Sequence, residues 1–450
     1  MNIIKKVAHF GTFDVENFGD LLFPLLAQKQ LGDTVEITAV SPVGGPPVWQ
    51  DSYRSLDPIT YARLADSFDA VLIGGGNIVR IHPSSVGAYG KLAGAELAHY
   101  ADIWLGPSLA APDGCPIIWL APGVPERIPT PLSGLVDAAI SRAEIVSVRD
   151  EASRRNLLGI RSDLNIDVAI DPAWAIDTLW SPSELDVARD DIFSEIGISS
   201  TQRIIVFHLN RRYTNGLSNT AIAALLDKIA QSVSARPILL ALGPCHGDGE
   251  YALPIGAAMT TNPITISNPR SLRTVTAILR AADLYVGSSM HGFITSSAFG
   301  IPAICVASKR VNKFAGLQQL LGQDDVVVER WDEAVNTVSS IDLPKRRTMA
   351  IAAHAAALRT LDTLWNRVRS TIITTATSKQ NTVSREPVET FWMCRVAILS
   401  ACYSGAMDEL KELQRETRKQ LKLQQATNQN PPHSIGRLVK RVKRGWINSR

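Results

Sequence analysis

The residue best placed for chemistry in this sequence is a histidine that follows a short apolar stretch. His291 comes after Ser288 and Ser289, and the apolar stretch 284–286 precedes all three. The pattern predicts a strand ending in hydroxyl side chains and a helix opening at the histidine. Helix N-terminal amides and serine hydroxyls bind phosphate or carboxylate, and imidazole titrates near neutral pH. The segment therefore predicts an anion site with His291 as its proton-transfer group, against the alternative of a structural histidine.

Two more polar or flexible motifs follow predicted strands. Asn17 and Asp20 stand at the start of an apolar helix, where anions are favoured, and Asp20 is a second catalytic candidate. The alternative for Asp20 is a helix N-cap. Gly75 and Gly76 follow the third strand and let the main chain approach a ligand, although they are also compatible with a plain flexible turn. Their motif is not G-x-G-x-x-G, so no dinucleotide site is predicted.

Three arginines follow strands and could hold an anion. Arg149 follows the apolar residues 146–148 and precedes Asp150, a predicted helix cap. Arg211 and Arg212 follow the strand 204–209. A guanidinium binds phosphate or carboxylate with two parallel hydrogen bonds. The alternatives are an ion-pair partner for Arg149 and solvated loop residues for the other two.

The elements that must position these residues alternate between strand and helix patterns in two successive series. This alternation predicts an α/β fold of two Rossmann-like, doubly wound domains facing across a cleft, with a GT-B-like plan. The predicted strands are 3–10, 35–40, 70–73, 116–120, 144–148, 167–170, 203–209, 238–242, 284–286, 303–306 and 325–328. The predicted helices are 21–31, 59–67, 89–105, 132–142, 151–158, 219–234, 271–282, 291–299, 314–321 and 333–338.

The domain limits follow from the same pattern. The predicted domains are residues 1–178 and 200–345, with a hinge in the acidic stretch 177–200 and a helical extension over 388–450 after a Thr/Ser-rich linker.

Composition restricts the class of protein. The chain has 450 residues, of which 45% are hydrophobic and 20% charged, so large cores can form. Its five cysteines are scattered without C-x-x-C spacing, which predicts reduced thiols, a cytoplasmic protein and no essential metal or resident cofactor. No apolar run is long enough to span a bilayer. The net charge of +3 argues against a nucleic-acid partner.

The C-terminal tail has a different character. Residues 431–450 hold six Lys/Arg and no acid, and apolar residues are interleaved among them. Such a segment predicts peripheral contact with an anionic membrane surface, and a solvated tail is the alternative.

Residues 7–325 resemble the polysaccharide pyruvyl transferase family. The resemblance lies in the order and spacing of five pieces: Asn17-Phe18-Gly19-Asp20, the run Ala70 to Gly76, Val146-Ser147-Val148-Arg149-Asp150, Asp171-Pro172-Ala173, and the run Gly287 to Pro302. It implies phosphoenolpyruvate as co-substrate, whose pyruvate unit becomes a ketal on a sugar with release of phosphate. The implied acceptor is a sugar or lipid-linked oligosaccharide of exopolysaccharide or cell-surface glycan assembly.

The resemblance also implies roles for single residues. His291 matches the family histidine and would transfer protons, while Arg149, and with it Arg211 or Arg212, would hold the donor. Lys309 resembles an acceptor-side lysine. Many members carry an arginine where this chain has Ser289, so another cation must replace it.

Two other functions are compatible with the sequence. One is a GT-B glycosyltransferase that uses a nucleotide-sugar, and the other is a glycan-binding relative that has lost its chemistry. Ligand-induced melting shifts distinguish the first, since phosphoenolpyruvate would stabilise only a pyruvyl transferase. Substitution of His291 distinguishes the second, because it would change no reaction.

Overall fold

A computed structural model describes residues 4–81, 89, 98–199, 201–307, 322, 324–374, 387–402, 404 and 415. Among these residues, the first sheet has seven parallel strands in the order β3-β2-β1-β4-β5-β6-β7. The strands are β1 (Lys5–Phe10), β2 (Val35–Val40), β3 (Ser55–Leu56), β4 (Ala70–Gly74), β5 (Ile117–Leu120), β6 (Ala143–Val148) and β7 (Asp167–Val168).

The second sheet repeats the plan of the first. Within the described residues it has six parallel strands in the order β10-β9-β8-β11-β12-β13. They are β8 (Ile204–His208), β9 (Arg236–Leu240), β10 (Ile264–Ile266), β11 (Leu284–Gly287), β12 (Ala303–Val306) and β13 (Val327–Val328). The strand order reverses between β1 and β4 and again between β8 and β11, and ligands of such sheets bind beyond the carboxyl ends of those strands. The predicted two-domain α/β fold is confirmed.

Helices cover both faces of each sheet. The α-helices are α1 (Phe18–Leu31), α2 (Pro58–Leu64), α3 (Leu105–Ala110), α4 (Ser133–Ser141), α5 (Glu151–Leu158), α6 (Pro182–Glu195), α7 (Asn219–Ser232), α8 (Asp248–Ala258), α9 (Leu272–Ala281), α10 (Met290–Ala298), α11 (Trp331–Ser339) and α12 (Leu343–Thr374). The hinge region contains α6, which opens with a capping box between Ser181 and Glu184. The domain limits themselves stay predictions.

One predicted helix is wrong and another lies outside the described residues. The prediction of a helix over 89–105 fails in its described part, where a 3-10 turn (Tyr100–Ile103) precedes α3. The side chain of His99 caps that turn by accepting the amide of Ala101 at 3.0 Å, which fixes the chain in a short 3-10 form. The predicted helix 314–321 falls outside the described residues.

Two C-terminal elements pack against the sheet domains. Helix α12 packs on α10 and on the 3-10 helix Pro172–Thr178, and Arg367 forms an ion pair with Asp167 at 2.6 Å. Residues 387–398 are helical, and Arg395 pairs with the fully buried Asp102 at 2.7 Å. Within the described residues, none of the helices combines the length and apolar character that a bilayer span requires.

Candidate functional site

His291 lies at the contact between the two sheet domains. It is in the first turn of α10, whose N-cap Ser289 accepts the amide of Gly292 at 3.2 Å. Its ring meets Phe23 of α1 edge to face, with centroids 5.7 Å apart, and only 13% of its side chain is exposed. A Cβ atom at Gly19 would fall 1.8 Å from the imidazole Nδ1, so only glycine permits this approach. The imidazole thus faces the other domain and is neither in a domain core nor on the outer surface.

A carboxylate of the first domain faces this imidazole. Asp171 follows β7, and its Oδ2 lies 3.6 Å from Nε2 of His291. Its other oxygen accepts the amide of Ala173 at 3.0 Å and so caps the 3-10 helix. Burial opposes ionisation of Asp171, but His291, the Arg149 charge and the Ala173 amide outweigh it and hold the pKa below its usual value. Asp171 therefore stays ionised and places a negative charge beside the imidazole.

Asp20 also lies near His291, in the crevice between α1 and α10, and its pKa shifts in the direction opposite to that of Asp171. Asn17 is the N-cap of α1, without a side-chain cap bond, and Asp20 is the third residue of the helix, so the N-cap alternative for Asp20 is wrong. Gly76 adopts φ +73°, and a Cβ there would lie 2.8 Å from Oδ1 of Asp20. Burial raises the pKa of Asp20, and the charge of His291 opposes that rise. A carboxyl group with a raised pKa can act as a proton donor.

Arg149 lies behind the glycine-rich turn. Its Nη2 donates to Oδ1 of Asn77, and its Nε lies 3.6 Å from Asp150, the N-cap of α5. Only 5% of its side chain is exposed, and among the described residues its Nε has no hydrogen-bond partner. A Cβ at Gly123 would come within 2.8 Å of this Nε. Arg149 is therefore an ion-pair partner that also keeps an unused donor beside the crevice.

The other predicted site residues are distributed more widely. Ser288 is buried, and its Oγ has no hydrogen-bond partner in the described part of the chain, which leaves a donor at the end of β11. Gly75 adopts φ +102° beside the ring of Phe23. Arg211 and Arg212 are exposed, and Arg211 lies over the ring of Tyr251, 5.4 Å from its centroid. Lys309 lies outside the described residues.

The structure brings residues of both domains to one point. The Asp20 carboxyl responds to the charges of His291 and Arg149, while Asp171 and Asn77 complete the set. The roles of these residues stay predictions. Asp171 and Asn77 were not among the predicted site residues, although Asp171 opens an Asp-Pro-Ala motif directly after β7 and Asn77 follows the glycine run. The described residues contain no cluster of His, Cys, Asp and Glu side chains able to hold a metal ion.

Comparison with known proteins gives a family and a fold. The model of one protein family, described as polysaccharide pyruvyl transferase, matches residues 17–310. No curated relative matches the chain significantly. A Listeria monocytogenes protein described as a UDP-N-acetylglucosamine 2-epimerase is similar in structure, with a TM-score of 0.51 and 15% identity over 82% of this chain and 96% of that one. The S. aureus MnaA–UDP complex gives a TM-score of 0.50 and 11% identity over 84% and 99%. These two likenesses support the GT-B-like fold alone.

Proposed function

The chain belongs to the polysaccharide pyruvyl transferase family and is a transferase, and from this premise we propose that it moves the pyruvate unit of phosphoenolpyruvate onto two hydroxyls of a sugar. The product is a ketal and the leaving group is phosphate. The acceptor belongs to an exopolysaccharide or cell-surface glycan precursor, free or linked to lipid.

The proposed reaction needs two groups that each give and take a proton. Forming the ketal consumes two hydroxyl protons, of which one ends on the methylene carbon C3 of the donor and the other on the phosphate. A half-buried carboxyl with a raised pKa and an imidazole facing a carboxylate can perform both exchanges. Asp20 and His291 have these properties, and they lie together in the crevice.

In the first half of the proposed reaction, the Asp20 carboxyl protonates C3 and the electrons of the double bond form the new C–H bond. The first hydroxyl oxygen then bonds to C2, and its proton passes to His291. The ionised Asp171 stabilises the imidazolium that results, from 3.6 Å away.

In the second half, the bond between C2 and the phosphate oxygen breaks, and its electron pair leaves with the phosphate. His291 gives its proton to that oxygen. The second hydroxyl bonds to C2 and loses its proton to the Asp20 carboxylate, so both groups return to their starting states.

The donor would lie on the side of the glycine-rich turn. Arg149 keeps a buried Nε without a hydrogen-bond partner among the described residues, next to Gly76 and Asn77. A guanidinium there matches the phosphate or carboxylate of the donor. Asn17 and Ser288 would add neutral hydrogen bonds.

The observation that carries the proposal is the contact of His291 with Asp171 and Gly19 of the opposite domain. Its test is phosphate release from phosphoenolpyruvate with a panel of acceptor oligosaccharides. His291→Ala should lower kcat about 100- to 10,000-fold, as expected for loss of acid–base catalysis. His354→Ala removes another histidine that pairs with an aspartate, Asp177 at 3.2 Å, and should keep activity. Equal activity of His291→Ala and wild type would refute the proposal.

A nucleotide-sugar glycosyltransferase is the second candidate, because a UDP complex is among the similar structures. Thermal unfolding separates the two candidates. A ligand at about 100 times its Kd adds about 2.7 kcal/mol to the stability of the folded state. Phosphoenolpyruvate should therefore raise the Tm while UDP-sugars leave it unchanged, and the opposite pattern would favour the glycosyltransferase.

The proposed location is the cytoplasm, with peripheral contact at the inner face of the membrane. The basic tail over residues 431–450 supports that contact through attraction to anionic lipids. Co-sedimentation with anionic and neutral vesicles, with and without the tail, tests it.

A further inference from the structure

The turn between β9 and α8 brings a second histidine to the crevice. β9 lies beside β8, so this turn leaves the carboxyl edge of the second sheet, where ligands of such folds bind. The chain forms the short 3-10 turn Pro244–His246 and reverses at Gly247, whose φ of +74° favours glycine. His246 is exposed at the end of this turn.

Two main-chain hydrogen bonds attach the turn to the first domain. The carbonyl of Leu242 accepts the amide of Phe18 at 2.7 Å, and the amide of Cys245 donates to the carbonyl of Glu16 at 3.2 Å. These bonds lie on either side of Asn17 in the first domain. The residue before His246 is therefore fixed against the loop that carries Asn17 and opens α1.

A buried aspartate and its hydrogen bonds fix the turn from the other side. Oδ2 of Asp248 accepts the amides of Leu242 at 3.0 Å and Gly243 at 2.6 Å, and it lies 2.9 Å from Nε2 of His208. Asp248 and His208 are each only 4% exposed. Burial opposes ionisation of Asp248, but His208 and the two amides outweigh it and lower its pKa. The turn is thus held rigidly, and Asp248 positions it.

The charges on this side of the crevice suit a neutral ligand. The main-chain bond from Cys245 to Glu16 places the residue before His246 beside the loop that opens α1, and the charge of His246 is among those that lower the pKa of Asp20. Glu16 is paired with Arg270 at 2.7 Å. Glu16 thus neutralises the charge of Arg270, and the anionic donor would be held by Arg149 instead. An imidazole both donates and accepts hydrogen bonds, as a sugar hydroxyl requires.

We propose that the turn over residues 242–248 is part of the acceptor subsite and that His246 binds a sugar hydroxyl next to the reacting pair. This inference rests on the proposed pyruvyl transfer and names the residue that selects its acceptor. Asp248 acts as a positioning residue for His246.

Steady-state kinetics of phosphate release test the role of His246, with phosphoenolpyruvate and the acceptor varied separately. One net hydrogen bond contributes about 0.5–1.5 kcal/mol, so His246→Gln should raise the acceptor KM about two- to tenfold. The KM for phosphoenolpyruvate should not change. The matched control Lys228→Gln removes an exposed cation from the last turns of α7 and should change neither constant.

A double-mutant cycle tests the positioning role. Asp248→Asn should also raise the acceptor KM. The double variant should be no worse than His246→Gln alone, because a residue that acts only through His246 has no further effect once His246 is replaced. An unchanged acceptor KM in His246→Gln, or a rise in the donor KM alone, would overturn the inference about His246. Phosphate release by the wild-type protein would still support pyruvyl transfer in that case. Wild-type protein without any phosphate release from phosphoenolpyruvate would refute the proposed function and this inference together.

Discussion

Replacing Asp171 by asparagine isolates the effect of one charge on His291. Asparagine keeps the volume of the side chain and an oxygen that can cap Ala173, so the fold should persist. The lost charge faces Nε2 of His291 at 3.6 Å. Two unit charges about 4 Å apart interact by about 1 kcal/mol in water and about 4 kcal/mol at an effective dielectric constant of 20. We expect a loss of about 2 kcal/mol for this mostly buried pair, which lowers kcat about thirtyfold.

The assay is phosphate release at saturating phosphoenolpyruvate and acceptor, so that kcat is read directly. Asp177→Asn is the matched control, because Asp177 lies on the same 3-10 helix and also faces a histidine, His354 at 3.2 Å. The control should retain wild-type kcat. A wild-type kcat in Asp171→Asn, or an equal loss in both variants, would refute the reasoning that Asp171 stabilises the imidazolium.

Three further substitutions test the packing and the charges. Gly19→Ala puts a Cβ 1.8 Å from Nδ1 of His291, so it should displace the ring and abolish phosphate release. The circular dichroism spectrum should stay native. Full activity of this variant would contradict the close approach of His291 to position 19. Burial raises the pKa of Asp20, so the folded state holds its proton more tightly than the unfolded chain, and stability falls as pH rises through the folded pKa. Asp20→Asn should abolish activity and remove this pH-dependent loss of stability. The Tm of the variant relative to that of wild type should therefore increase as pH rises. A Tm difference that does not change with pH would contradict the raised pKa of Asp20. Arg395→Ala leaves the fully buried Asp102 unpaired and should cost about 3–5 kcal/mol in urea unfolding, and a cost below about 1 kcal/mol would contradict a paired, buried charge.

Most of the fold could be predicted because buried parallel strands appear as short apolar runs. β4 and β11 are buried at every position, and their apolar runs are bounded by turn residues. β10 was missed because it has three residues, all half-buried, at the sheet edge. Helix α8 was missed because Pro254 and internal glycines hide its helical pattern. A Cβ at Gly256 would lie 2.4 Å from Oγ1 of Thr265, so tertiary packing on β10 explains a residue that local propensity disfavours.

The candidate site could be predicted only in part. His291, Asp20 and Arg149 each follow a strand, and a strand end is visible in the sequence. The partner of His291 could not be deduced, because Asp171 comes from the other domain and 120 positions separate the two along the chain. Local patterns contain no information on which strand ends meet across a cleft.

The residues proposed to carry the chemistry also form the contact between the two domains. His291 of the second domain finds its carboxylate, Asp171, only in the first, and it fits there because position 19 has no side chain. The main-chain bond from Phe18 to Leu242 fixes the neighbouring residue of the same loop to the second domain. Any motion that separates the domains must therefore separate His291 from Asp171 and, at the same time, move the turn over residues 242–248 away from Asn17. Because both contacts are lost together, we expect that a protein with separated domains has no activity and catalyses neither half of the proposed reaction.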